Sequence, residues 1–252
     1  GLVCLENGEK GRAKKWHRVD RREGHETRRS GQGLVRQFEE GGLLKRIYKA
    51  VAVDEIEGGF SVTLDGRLVR SPAQRELTVP NRPLAEAVAA EWDCQVETID
   101  PKNMPMMSLL ATATDRVGTQ RDHVIDTIVG YAESDLICYW AEHPADLVQR
   151  QFETWRPLLD WCAESLGARF EMTTGIMPVQ QSTEAMKAIG DVVARYDDLP
   201  MTALHELTAI SGSVMIGLAI AEGYLGAEDG LAAAQLDEVF QIERNGEDEE
   251  AM

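Results

Sequence analysis

Regular patterning begins near residue 45. In RIYKAVAVDEI, Ile47, Lys49, Val51 and Val53 fall on one face at a period of two. In GFSVTLDGRLVRSP, Phe60, Val62 and Leu64 lead into Asp65-Gly66 and then Leu68. Alternation of this kind predicts half-buried strands. Asp-Gly between alternating apolar positions predicts a two-residue hairpin turn. Gly58-Gly59 marks the turn before it. Residues 45–80 are therefore expected to form a small antiparallel unit of three or four strands.

At Pro80 the period changes. NRPLAEAVAAEWDCQV carries Leu84, Val88 and Trp92 at helical spacing, with Asn81 as an N-cap and Pro83 in the first turn. IDPKNMP interrupts the helix. MPMMSLLATATDRV and RDHVIDTIVGYAES resume it, the latter with Val124, Ile128 and Tyr131 on one face. Residues 144–167 form the clearest helix, with a stripe of Val148, Phe152, Trp155, Leu159, Cys162 and Leu166. Pro157 should kink or break it, and Gly167 should stop it. ARFEMTTGIMPVQ is short and β-like. Three further helices are expected over 182–196, 200–223 and 227–244. In the last, Ala232, Leu236, Val239 and Phe240 make the inward face, and Asp237, Glu238 and Gln241 the outward one.

Strands followed by helices predict an α+β fold. The expected organisation is a tail over residues 1–40, a β-rich domain over 41–80 and a helical domain over 81–252. The uncharged run Leu207–Ala221 is too short for the roughly 20 residues of a membrane span and reads as a buried helix in which Gly212 and Gly217 allow close approach.

Charge narrows the partners. The net charge is −17, and it is uneven: residues 1–49 hold 13 Lys+Arg against 7 Asp+Glu, and the rest is strongly acidic. Nucleic acid and anionic membrane both need a positive patch, so neither is an expected partner. The N-terminal stretch lacks the apolar core of a signal peptide and holds too many acids for a transit peptide, which suggests a bacterial cytoplasm.

Candidate chemistry is sparse. No phosphate-loop, nucleophile-elbow or zinc-protease motif occurs, and Cys4, Cys94, Cys138 and Cys162 match no zinc spacing. No metal or cofactor is expected. SDLICYWAEHP, residues 134–144, gathers Asp135, Cys138, Tyr139, Glu142 and His143, and a small hydrolase using Asp135, Cys138 and His143 is one reading. Cys138 lies between Ile137 and Tyr139, an apolar setting that makes a thiol inert. The window reads instead as a buried helix–strand–helix corner. The acidic pair Asp237 and Glu238, with Gln241, reads as a contact surface for a partner with a basic or apolar strip; an acidic adaptor for some other basic protein is a further possibility.

Four blocks, in order, resemble the ATP synthase alpha-subunit assembly chaperones, the ATP synthase mitochondrial assembly factor 2 family. The first carries Trp92, Gln95, Ile99, Pro101, Met104, Pro105, Leu109, Thr112, Ala113 and Asp115. The second carries Tyr131, Asp135, Leu136, Cys138, Tyr139, Pro144, Leu147, Gln151, Trp155, Pro157 and Trp161. The β region and LDEVFQIERNGEDEEA are the others, so the resemblance spans residues 45–252, with Asn245-Gly246 where the family usually has Trp-Gly. It implies a monomeric, non-enzymatic chaperone that binds the unassembled alpha subunit of the catalytic sector and shields its beta-facing surface. It also implies structural roles for Trp92, Pro105, Asp135, Tyr139 and Trp155. A bacterial member would work in the cytoplasm and a eukaryotic one in the mitochondrial matrix.

Overall fold

The computed structural model describes residues 44–175 and 177–246. The expected N-terminal tail, and the end of the chain from residue 247, lie outside the described residues. The chain divides between Ser108 and Leu109 into two compact units. The overall order, a small antiparallel sheet and then helices, is the expected α+β arrangement.

In the first unit, β1 (Leu44–Lys45) is followed by β2 (Val51–Ile56), β3 (Gly59–Leu64) and β4 (Arg67–Leu68), the last three forming one antiparallel sheet. Asp65 and Gly66 both have positive φ, 49° and 76°, the geometry of a type I′ turn between β3 and β4. The Asp65 carboxylate also accepts hydrogen bonds from the backbone N–H groups of Ala50 and Lys49, which lowers its pKa. Ile47 departs from expectation. The ladder of β2 begins only at Val51, and Ile47 is 89% exposed. Arg46 takes over the local contacts by reaching the carbonyls of Asp93 and Gln95.

The helix α1 (Arg82–Asp93) starts where the sequence predicts, with the Asn81 side chain accepting from Leu84 N at 3.0 Å. It packs on β2 and β3, burying Ala85 and Val88. Pro80 thus marks the change from sheet to helix, while the compact unit continues past it to Ser108. The strand β5 (Thr98–Ile99) returns antiparallel to β1. The division between units falls inside α2 (Pro105–Asp115).

The second unit is helical around one core. It contains a 3-10 turn at Val117–Thr119, α3 (Arg121–Gly130), two further short 3-10 turns, β6 (Tyr139–Trp140), α4 (Ala145–Ser165) and β7 (Thr173–Thr174), which pairs parallel with β6. It continues with α5 (Thr183–Val193), α6 (Asp198–Ser211), α7 (Val214–Ala221), α8 (Ala227–Ala234) and α9 (Leu236–Asn245).

Three helical expectations are corrected. The single helix expected over 200–223 is two, because Gly212 adopts the left-handed conformation (φ 70°) and Ser213 restarts the chain by accepting from Ile216 N. The helix expected over 227–244 is also two, divided at Gln235. That break resets the helical phase, so Leu236 and Phe240 point inward as expected while Ala232 and Val239 are exposed. In α4, Trp155, Leu159 and Cys162 are buried as expected, but the inward positions before them are Leu147 and Gln151. Val148 is only half-buried and Phe152 is exposed, its ring edge-on to Trp140 at 6.1 Å. Pro157 lies on the solvent side of α4, where the carbonyl freed by its missing N–H can meet water, and the helix runs through it.

Candidate functional site

The residues of SDLICYWAEHP do not form a reactive cluster. Asp135 is fully buried between two short turns and the start of α7. One carboxylate oxygen accepts from Ile137 N, the other from Met215 N, both at 3.2 Å. Ser213 and the N–H of Val214 stabilise the charge further, yet burial dominates and raises the pKa to about 6. Asp135 therefore caps the buried helix α7. Cys138 is fully buried, and desolvation, with the Asp135 charge nearby, pushes its thiol pKa well up. His143 is exposed. A buried thiol and an exposed imidazole do not make a nucleophile and base. Tyr139 is half-buried at the β6–β7 pairing. An open concavity of about 530 Å³ is lined by Ser165, Tyr196, Asp197 and Glu222 among others, and by no residue of 134–144.

The remaining motif residues also have structural work. Tyr48 donates its hydroxyl to the Trp92 carbonyl at 2.6 Å, and the two rings meet edge-on at 5.8 Å. Pro105 opens α2 at a position where a missing N–H costs little. The next two N–H groups, of Met106 and Met107, donate to the Glu91 carboxylate at 2.7 and 2.8 Å. Trp155 is fully buried and its indole N–H donates to Ala233 O at 2.8 Å.

The predicted contact residues lie together on α9 but differ in environment. Glu238 and Gln241 are exposed. Asp237 is half-buried and accepts from Gln151 Nε2 at 2.7 Å, and burial raises its pKa. Gln151 itself is buried, with its oxygen accepting from Ala141 N at 2.8 Å. Arg150 lies over the Phe240 ring and pairs with Glu243 at 2.7 Å. Two apolar side chains, Val239 and Ile242, are exposed beside Glu238. The outward face of α9 thus mixes acidic, amide and apolar groups. Sequence reasoning missed the seat of this helix on α4. Its one local signal is Gln151, a polar residue four positions from Leu147 and from Trp155 on the inward stripe.

Among the described residues, no group of three or more His, Cys, Asp or Glu is arranged to hold a metal ion, and no helix is long and apolar enough to cross a membrane.

Residues 45–163 match the family model of the ATP12 chaperone protein. The crystal structure of Atp12 from Paracoccus denitrificans is 38% identical and superposes with a TM-score of 0.78, covering 82% of this chain and 89% of that one. The chain belongs to the ATP12 chaperone family. A protein of Agrobacterium tumefaciens agrees with it, at 42% identity and a TM-score of 0.77 over 82% of this chain and 78% of that one. The mitochondrial protein atp12 of Schizosaccharomyces pombe is 26% identical over 219 residues, 82% of this chain and 75% of its own length. The ATP12 relatives thus include a bacterial and a mitochondrial protein. The span matched by the family model takes in the sheet, the capped corner at Asp135 and the long helix α4 as far as Ala163.

Proposed function

We propose that this ATP12 family member is a monomeric chaperone for assembly of the catalytic sector of ATP synthase, binding the unassembled alpha subunit and shielding the surface that the beta subunit later takes. The observation that carries the reading is the outward face of α9. Glu238 and Gln241 stand beside exposed Val239 and Ile242, with Asp237 at the inner margin. An unassembled subunit exposes a large apolar interface that invites aggregation. A chaperone needs to cover it and let go, which favours a modest surface of mixed chemistry over a wholly apolar one. The acidic groups steer a client with basic residues at the rim of its apolar surface.

The reading has no catalytic step, and the burial of Cys138 away from the exposed His143 speaks against the hydrolase alternative. A bacterial member would act in the cytoplasm and a eukaryotic one in the mitochondrial matrix. The test is to mix purified protein with purified alpha subunit and follow both complex formation and aggregation. The expected result is a complex and a client that stays in solution.

A further inference from the structure

Gln235 interrupts the helix between α8 and α9, so the two do not share one helical phase. Leu236 and Phe240 bury the inner face of α9 in the core, and α4 adds a small set of polar contacts that bear on its rotation. Arg150 and Glu243 form an ion pair between half-exposed side chains, which contributes little directional stability. Trp155 grips Ala233, in α8 rather than α9. The first turn of α9 is held by Gln151. This carboxamide is buried, its oxygen is fixed by Ala141 N at the end of β6, and its nitrogen donates to Asp237 Oδ1 at 2.7 Å. Because a carboxamide is planar, fixing its oxygen also fixes where its nitrogen donates.

We propose that Gln151 is a positioning residue for the client-facing surface: by bonding Ala141 and Asp237 at once it sets the seat and rotation of α9, and Asp237 serves that surface through this bond rather than by touching the client. The inference rests on the outward face of α9 being the contact for the client. It separates two acids adjacent in sequence. Glu238 acts outward on the client, while Asp237 acts inward on the helix that carries Glu238.

The test compares substitutions by two readouts: affinity for purified alpha subunit, and amide hydrogen exchange in α9 of the free protein. Asp237→Asn keeps an oxygen that can accept from Gln151 and removes the charge. It is expected to leave both readouts within about twofold of the wild type, whereas Asp237→Ala leaves the buried amide unpaired, raises α9 exchange about tenfold and weakens the complex about tenfold. Gln151→Glu sets two carboxylates against each other and is expected to behave like Asp237→Ala. Adding Asp237→Asn to Gln151→Glu restores a donor facing an acceptor and should recover both readouts. Loss of the complex in Asp237→Asn with exchange unchanged would show a direct charge contact and overturn the proposal. So would unchanged α9 exchange in Asp237→Ala. If wild-type protein forms no complex with alpha subunit, the functional reading falls, and the exchange series alone still decides whether Gln151 positions α9.

Discussion

Asp135 accepts a hydrogen bond from Met215 N, 80 residues further along the chain, and so ties the corner after α3 to the first turn of the buried helix α7. The carboxylate is fully buried and its pKa is raised from 3.8 to about 6. A raised carboxylate binds its proton more tightly folded than unfolded. Its ionisation therefore opposes folding at neutral pH, and the opposition fades as pH falls from above 6 towards 4. The difference between 3.8 and about 6 corresponds to about 3 kcal/mol. Asp135→Asn cannot ionise and offers one acceptor oxygen to two N–H groups. Urea unfolding of both proteins is expected to show the wild type's advantage widening by about 2–3 kcal/mol between pH 7 and pH 4. A difference that does not change with pH would refute this role for the carboxylate.

Gly217 is fixed by packing. A Cβ there would lie 2.8 Å from Thr208 Oγ1 and 3.3 Å from both Thr208 N and Leu204 Cδ1. Helices α6 and α7 cross at this point with no room for a methyl group. Gly217→Ala is expected to destabilise the protein by about 1–3 kcal/mol in chemical denaturation. The Thr208 hydroxyl is buried and has no hydrogen-bond partner among the described residues. Adding Thr208→Ala removes the worst clash and should recover part of the loss.

These two cases show what a single sequence reveals and hides. The Asp65-Gly66 turn, the Asn81 cap, and Trp155, Leu159 and Cys162 on the inward face of α4 are local features and were legible. The uncharged run through Leu207–Ala221 has no charged face to report its phase, and Gly212 followed by Ser213 is the local mark of the break between α6 and α7. The strands β1, β5, β6 and β7 are two residues each, too short for any period. The contact that seats the candidate surface joins Gln151 to Asp237, and the one that caps α7 joins Asp135 to Met215. Each is a long-range bond whose partner no local pattern names. Ile47 and Phe152 illustrate the opposite failure: both are apolar at the right spacing and both are exposed.

Cysteine reactivity separates a structural corner from an active site. Cys138 and Cys162 are buried with thiol pKa values pushed well up by desolvation, whereas Cys94 is exposed. Alkylation of the native protein, read by mass spectrometry, is expected to spare Cys138 and Cys162 and to modify both after unfolding. Rapid modification of Cys138 in the native state would reopen the case for a nucleophile in SDLICYWAEHP.

In the proposed complex the client meets the outward face of α9. Purified protein mixed with purified alpha subunit should form a complex in pull-down and suppress the subunit's aggregation. Glu238→Lys should weaken both by about tenfold with the melting temperature unchanged, because an exposed rim charge acts on association and not on the core. Failure of the wild-type protein to form a complex or to slow aggregation would contradict the account.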